Sequence, residues 1–272
     1  MINELFQQIV EMNIFRYFFS ILIISNFILI ISLHFKLEIE KKAKSMFNIT
    51  DIKKDLNKIK SILLIIAHPD DEILFWTPTI KKLKSLNLKL KILCLSNGNS
   101  QKNRERRTEE FKTVSKYLKL EDNEILNVPE LQDSMKKFWD EKIVSEKISN
   151  FLNENKDIET ILTFDEIGIT NHPNHISCYN GLIYYLKNHR DDIKNKGINI
   201  YLLDSFNPLF QYTHFVPFIV FYFREFGFFS YHFFTSYKIM KMYKSQFNWK
   251  KKLHVIFSGY SYYNSYIKVE LQ

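Results

Sequence analysis

The stretch ILLIIAHPDDE, residues 62–72, decides the fold of this 272-residue chain. Its apolar first half has the length and the branched side chains of a strand that is buried on both faces, as in a parallel sheet. Pro69 has no backbone N–H to donate, so the strand should end there. The acidic residues that follow therefore fall on a loop at the carboxyl end of a strand, where open α/β sheets bind their ligands.

The polar half of the stretch suggests a metal site. Asp70, Asp71 and Glu72 lie beside His68, and carboxylates crowded in this way repel one another unless a cation or solvent lies between them. His68 and Asp71 would supply two ligands. The alternative is a solvated acidic turn, which would be the better interpretation if no further histidines accompanied it.

A second polar cluster favours the metal. An apolar run ends at Asp165, and the sequence HPNH, residues 172–175, follows and opens a helix. Strand ends of a parallel sheet share one edge, so both clusters should reach the same crevice. His175 can complete a His/Asp/His set, which is how catalytic zinc is usually held. Imidazole and carboxylate ligands favour zinc over calcium or magnesium, although other first-row metals fit as well.

Strands and helices alternate along the middle of the chain. After the first strand, strands are predicted at 88–96, 123–128, 158–164 and 198–203, and helices at 78–86, 104–118, 139–152 and 174–187. This alternation predicts an α/β domain with a mostly parallel, doubly wound sheet and flanking helices.

The N-terminal part predicts a membrane anchor. Residues 17–35 carry no formal charge and could cross a bilayer as one helix. A signal peptide is the alternative, but no small-residue cleavage site follows. The lysines after the span place the C-terminal side in the cytosol. We therefore expect a short luminal N-terminus (1–16), a transmembrane helix (17–35), a basic juxtamembrane linker (36–60) and a catalytic domain (61–272).

The net charge of +8 suits an anionic partner. Nothing resembling a nucleic-acid motif accompanies it, so an anionic phospholipid surface is the expected partner. Residues 206–234 are rich in aromatic side chains, and two interpretations stay open for them. They either dock on a membrane through residues such as Phe215, Phe218 and Phe221 or form a buried edge of the domain.

The chain resembles the PIG-L/LmbE-like de-N-acetylases over residues 61–272. The resemblance rests on AHPDDE (67–72), SNGN (96–99), Arg107 with Glu110, TFD (163–165) and HPNH (172–175). It implies a Rossmann-like α/β fold and a metal-dependent hydrolase that removes an acetyl group from an amino sugar.

The resemblance also implies roles for individual residues. His68, Asp71 and His175 match the metal ligands, Asp70 matches the general base, and His172 matches the group that stabilises the oxyanion or donates a proton. The spacing alone does not distinguish Asp70 from Asp71 as the ligand.

Three further positions follow from the resemblance, and two depart from it. Arg107 and Asn99 are expected at the substrate, and Asp165 is expected to orient a histidine. Arg104 stands where family members often have glycine, and Tyr243 stands where many have histidine. These departures affect the substrate loop more than the metal site.

The anchor points to family members that act on N-acetylglucosaminyl-phosphatidylinositol, a membrane glycolipid of GPI-anchor synthesis. We therefore expect a zinc amidase at the endoplasmic reticulum membrane that releases acetate from this lipid. Two alternatives remain. The substrate is another N-acetylglucosamine conjugate, of the thiol-cofactor-precursor type, or the chain is a catalytically silent scaffold that binds glycolipid. No protein partner is predicted.

Overall fold

The computed structural model describes residues 16–26, 61–98, 101–120, 122–208, 210–213, 226–230 and 234–270. Residues 16–26 are helical, but no helix within these ranges is long and apolar enough to cross a membrane. The transmembrane helix predicted at 17–35 is therefore not found there. Residues 27–35 of that prediction, and the linker at 36–60, lie outside the described residues.

Seven strands of the described chain form one sheet. They are β1 (Ser61–Ile66), β2 (Lys89–Cys94), β3 (Glu124–Ile125), β4 (Thr160–Phe164), β5 (Asn199–Leu203), β6 (Phe226–Phe229) and β7 (Tyr263–Lys268). Their order is β3-β2-β1-β4-β5-β7-β6, and the first five are parallel. The predicted mostly parallel sheet is confirmed, although β3 is shorter than the predicted strand at 123–128.

Nine helices accompany the sheet in the region from residue 61 onward that the structure describes. They are α1 (Asp71–Phe75), α2 (Thr77–Ser85), α3 (Gln101–Tyr117), α4 (Glu141–Glu154), α5 (Gly168–Asn171), α6 (Pro173–Asn188), α7 (Arg190–Lys196), α8 (Thr235–Met240) and α9 (Trp249–Phe257). The predicted helices correspond to α2, α3, α4 and α6. The sequence patterns did not predict α1, α5, α7, α8, α9, β6 or β7, and Asp71 and Glu72, which were expected on a loop, begin α1.

The parallel sheet is built around β1. All six of its residues are buried, because it lies between β2 and β4 and is covered on both faces. Burying each large aliphatic side chain contributes about 1.5–3 kcal/mol, which explains the uninterrupted apolar run. The chain leaves β1 towards β2 but later returns to β4 on the other side, so the loops after β1 and β4 diverge. This divergence opens a crevice at the carboxyl edge of the sheet.

The sheet continues beyond β5 with two antiparallel strands. β7 pairs with β5, and β6 pairs with β7. Asn264 of β7 ties this extension to the crevice: its side-chain oxygen accepts from the N–H and hydroxyl of Thr79 (3.2 and 2.7 Å), and its amide donates to the Phe75 carbonyl (2.7 Å). Phe206 and Phe228, at either end of the aromatic-rich segment, are buried. Phe215, Phe218 and Phe221 lie outside the described residues.

Candidate active site

The turn between β1 and α1 is held by the Asp71 carboxylate. Its Oδ2 atom accepts hydrogen bonds from the backbone N–H groups of Ala67 (3.1 Å) and His68 (2.8 Å). Asp70 adopts a left-handed backbone conformation, with φ 108°. Such a conformation costs a non-glycine residue about 1–3 kcal/mol and persists only where its surroundings impose it.

The two clusters of the sequence meet in the crevice as predicted. Asp71 Oδ1 lies 3.3 Å from His175 Nε2, and Asp71 Oδ2 lies 3.7 Å from His68 Nδ1. One ligand atom from each of these three side chains lies within 4.8 Å of the others. All three residues are buried, with exposures of 3–4%. The fold therefore brings together residues that are more than one hundred positions apart in sequence.

Both histidines are oriented through the ring nitrogen that faces away from Asp71. His175 Nδ1 lies 3.1 Å from the Gly168 carbonyl oxygen, and His68 Nε2 lies 3.1 Å from Asn174 Oδ1. Both partners are acceptors, so these nitrogens carry the protons and leave His175 Nε2 and His68 Nδ1 with free lone pairs. Metal-ligating histidines are usually oriented by such outer hydrogen bonds. The donor set therefore fits a divalent metal.

The protonation states are those of metal ligands. Burial lowers the pKa of His68 to about 4, so its ring is neutral at physiological pH. Burial would raise the pKa of Asp71, but His175 and His68 hold it below its ordinary value. The site thus presents a neutral His68 ring and a charged Asp71 carboxylate, the forms that coordinate zinc.

Asp165 supports the candidate metal ligands indirectly. Its carboxylate accepts from the N–H of Gly168 (3.0 Å) and from the N–H (2.8 Å) and hydroxyl (2.5 Å) of Ser205. It therefore holds the turn that presents the Gly168 carbonyl to His175. The expectation that Asp165 itself orients a histidine needs this correction, because the orienting oxygen belongs to Gly168.

His172 lies at the start of α6, next to both ligating histidines. Its ring centroid is 5.0 Å from that of His68 and 4.7 Å from that of His175. His172 Nδ1 accepts the backbone N–H of Asn174 at 3.2 Å and caps the helix. The neutral ring therefore carries its proton on Nε2. Burial and the neighbouring His175 lower the pKa of His172.

Asp70 is buried among charged groups. Its carboxylate is in contact with Lys251 Nζ through Oδ2, and Oδ1 lies 4.0 Å from Arg107 Nη2. Burial raises the pKa of Asp70, and the charges of Lys251 and Arg107 oppose that rise. Lys251 comes from α9, an element that the sequence patterns did not predict.

Arg107 is at the site, but its guanidinium is buried and already paired. It donates from Nη1 to Asp133 Oδ2 (2.9 Å) and from Nη2 to the Pro69 carbonyl (3.3 Å). Asp133 Oδ1 lies 3.4 Å from His68 Nε2, so His68, Asp133 and His172 form a second group with metal-ligand spacing. Asp133 is committed to Arg107, whereas Asp71 Oδ1 faces the ligand nitrogen of His175. The first group is therefore the better candidate for a metal site.

Glu72 and Tyr243 form a buried pair beneath Asp70. The Tyr243 hydroxyl donates to Glu72 Oε1 (2.5 Å), and Glu72 Oε2 accepts the backbone N–H of Asp70 (3.0 Å). Burial raises the pKa of Glu72 to about 8, although the Tyr243 hydrogen bond lowers it. Tyr243, a departure from the family pattern, thus supports the strained turn at Asp70.

No sequence motif predicted that Asp133 or Lys251 would lie at the site, because neither residue stands in a recognisable pattern. Asn99, expected at the substrate, lies outside the described residues.

Comparisons with known proteins identify relatives of this chain. The family model described as PIG-L, GlcNAc-PI de-N-acetylase, matches residues 63–186. A Dictyostelium discoideum protein named as a probable N-acetylglucosaminyl-phosphatidylinositol de-N-acetylase is 30% identical over 78% of this chain and 94% of its own length. A Schizosaccharomyces pombe protein of the same name is 34% identical over 58% of this chain, and the match spans 62% of that relative.

A solved structure shows the same fold. The N,N'-diacetylchitobiose deacetylase of Pyrococcus horikoshii has a TM-score of 0.52 and 15% identity, over 85% of this chain and 93% of its own. The mostly parallel sheet, with the His/Asp/His cluster at its crevice, places the chain in the class of α/β proteins with a candidate metal site. Within that class, the chain belongs to the PIG-L family, the GlcNAc-PI de-N-acetylases.

Proposed function

We propose that this chain hydrolyses the acetamide of N-acetylglucosaminyl-phosphatidylinositol and yields acetate and glucosaminyl-phosphatidylinositol, the second step of GPI-anchor synthesis. One observation carries the proposal: the buried His68–Asp71–His175 cluster lies beside the buried carboxylate of Asp70. Water adds to the acyl carbon, the C–N bond breaks, and the amine leaves with a proton. The family membership supplies the substrate.

His68, Asp71 and His175 would hold a divalent metal ion, and their donor types favour zinc. Such an ion acidifies water and polarises a carbonyl group. The chain prepares the site by keeping the His68 imidazole neutral and by orienting both rings, those of His68 and His175, through an oxygen acceptor.

Asp70 is the residue that transfers the proton in the proposed reaction. It takes a proton from the attacking water and returns it to the leaving amine, as a general base that then becomes an acid. Lys251 and Arg107 favour its charged form, although burial opposes that form. His172 Nε2–H, protonated because Nδ1 accepts from Asn174, is the donor for the developing oxyanion.

The test measures metal content and acetate release from N-acetylglucosaminyl-phosphatidylinositol on one purified sample of the full chain. We expect stoichiometric metal and acetate production, and His172→Ala should keep the metal while kcat falls. A metal-loaded protein that binds the glycolipid without releasing acetate would be the silent scaffold. Faster release from a soluble thiol-cofactor precursor would favour the alternative substrate.

The membrane part of the proposal is a single-pass anchor at 17–35 in the endoplasmic reticulum, with the catalytic domain in the cytosol. The exposed apolar side chains of the helix at 16–26 support this anchor: the side chain of Tyr17 is 72% exposed and that of Ile21 is 61% exposed. Asn48 lies in a glycosylation sequon, Asn-Ile-Thr. With a cytosolic domain, Asn48 stays unmodified. An endoglycosidase-sensitive mass shift that disappears in Asn48→Gln would reverse the orientation.

A further inference from the structure

Helix α9 has two faces with different environments. On the inner face, Lys251 contacts Asp70, His254 Nε2 lies 3.3 Å from the Leu74 carbonyl oxygen, and Val255 is buried. On the outer face, Trp249 is 67% exposed and Leu253 is 47% exposed. These two residues are four positions apart and therefore neighbours on one side of the helix. Together, Trp249 and Leu253 form a small exposed apolar patch on this helix.

The surroundings of this apolar pair are strongly basic. Lys250 Nζ lies 5.8 Å from the centre of the Trp249 ring, and Lys252 Nζ lies 5.1 Å from that of Phe247. Residues 235–269 contain seven lysines and neither Asp nor Glu. A tryptophan and a leucine between lysines form the mixture that binds the interface of a membrane, where aromatic rings reach the acyl boundary and ammonium groups meet lipid phosphates.

We propose that the outer face of α9, formed by Trp249, Lys250, Lys252 and Leu253, docks on an anionic phospholipid bilayer. This inference deepens the proposed function and rests on it for the lipid nature of the substrate. A helix with its side chains is about 10–12 Å across. Since Lys251 on the inner face touches Asp70, docking would hold the proposed general base roughly one helix diameter from the lipid surface. A substrate headgroup could then reach the crevice while its acyl chains stay in the bilayer.

A second copy of the chain is a less suitable occupant of this face. Two copies joined through α9 would bring their lysine-rich surfaces together, and like charges in such proximity oppose association. An anionic bilayer instead neutralises them, with each basic residue near the surface adding to the attraction. Self-association through this face is therefore the outcome that would contradict the proposal.

Tryptophan fluorescence offers a direct test. The chain has three tryptophans, and Trp76 and Trp139 are buried at 0% and 4% exposure, so only Trp249 should report contact with lipid. The full chain is reconstituted in vesicles of phosphatidylcholine and phosphatidylglycerol with brominated acyl chains. We expect part of the emission to be quenched, and this quenched part to disappear in Trp249→Phe. Equal emission in brominated and ordinary vesicles would overturn the proposal, because Trp249 then lies away from the acyl region.

An activity measurement separates this inference from the proposed function. Trp249→Ala with Leu253→Ala should deacetylate a vesicle-bound substrate at least about tenfold more slowly, since two apolar side chains lose their membrane contact. The same variant should act normally on a water-soluble headgroup analogue. Tyr117→Ala, at an equally exposed aromatic (61%) on α3, is the matched control and should change neither rate. Equal slowing on both substrates would contradict docking, and no activity of the parent on either substrate would contradict the proposed function alone.

Discussion

The parallel region, residues 61–206, and the C-terminal region, residues 226–270, contribute to the same crevice in different ways. The parallel region supplies the candidate metal ligands, the proposed general base and His172, all on the loops and first helical turns that follow parallel strands. The described part of the C-terminal region adds two antiparallel strands and two helices. From these elements, Lys251 reaches Asp70 and Tyr243 reaches Glu72.

This difference shows that the C-terminal region helps to form the candidate active site. The ligands come from short motifs within a conventional α/β layer, but the environment of the base comes from the other end of the chain. Asn264 and Tyr243 hold the segment from Asp70 to Thr79 from outside. Substitutions in the two regions should therefore have different effects. In the parallel region they should remove the metal or the catalytic activity. In the C-terminal region they should change the pKa of Asp70 or the stability of the protein.

The largest effect is expected for Asp71→Ala in the parallel region. Two histidines without the carboxylate hold zinc much more weakly than three ligands, so metal and activity should disappear together. Metal analysis and acetate release measure both quantities. Asp133→Asn is the matched control, since it alters the second candidate group and should leave the metal bound. If Asp133→Asn loses the metal and Asp71→Ala keeps it, the ion belongs to the second group.

Asp70→Asn should have the next largest effect. General-base loss costs ~10²–10⁴-fold in rate, so turnover should fall by that order while zinc content stays near that of the parent. The measurements are kcat and metal content on the same sample. Loss of zinc in Asp70→Asn with retention in Asp71→Ala would require the roles of the two aspartates to be exchanged.

Lys251→Met tests the contribution of the C-terminal region to the base. Without the Lys251 cation, only the charge of Arg107 opposes the effect of burial on Asp70, so the pKa of Asp70 should rise. A base with a higher pKa is deprotonated only at higher pH. The acidic side of the pH profile should therefore move to higher pH: activity at a pH below the new pKa should fall, and it should recover as the pH increases. The pH profile of kcat/KM measures the shift. Lys251→Arg keeps the charge and should retain the parent profile; an unshifted profile in Lys251→Met would show that Lys251 does not tune Asp70.

The smallest effect on turnover is expected for Glu72→Gln, which should appear mainly in stability. The pKa of Glu72 is raised from 4.5 to about 8 by burial. Between these values the folded protein binds a proton that the unfolded chain releases, so stability falls as pH rises through this window, by up to roughly 5 kcal/mol. Glutamine is neutral over this whole pH range, and it can still accept the Asp70 N–H and donate to Tyr243. The stability of the Glu72→Gln variant should therefore not show this decline as the pH rises.

Urea unfolding of parent and variant at pH 5 and pH 8 measures this pH dependence. Glu109→Gln, at an exposed side chain on α3 that pairs with Lys112, is the control and should keep the slope of the parent. A parent that is equally stable at both pH values would show that Glu72 does not titrate on unfolding in this range.

The sequence by itself determined the parallel strands and the two clusters that supply the candidate ligands, although its spacing did not distinguish Asp70 from Asp71. The buried run of β1, the proline that ends it, and the HPNH cluster after a later strand were enough, because strand periodicity and strand-end loops are local features. The transmembrane helix at 17–35, by contrast, rests on composition, and the described residues contain no helix that could span a bilayer.

Only the tertiary structure decided which groups surround the base. Lys251 lies 181 positions from Asp70, Tyr243 lies 171 positions from Glu72, and Asp133 contacts Arg107 across 26 positions. Lys251 stands in no motif, the family pattern marked Tyr243 only as a departure, and no periodicity predicts which side chain folds over a distant loop. Their placement follows from β7 pairing with β5 and from α9 packing over α1, long-range contacts that depend on the whole core. The chemistry of the ligands is thus local in the sequence, whereas the charge environment of the proposed base is a property of the assembled fold.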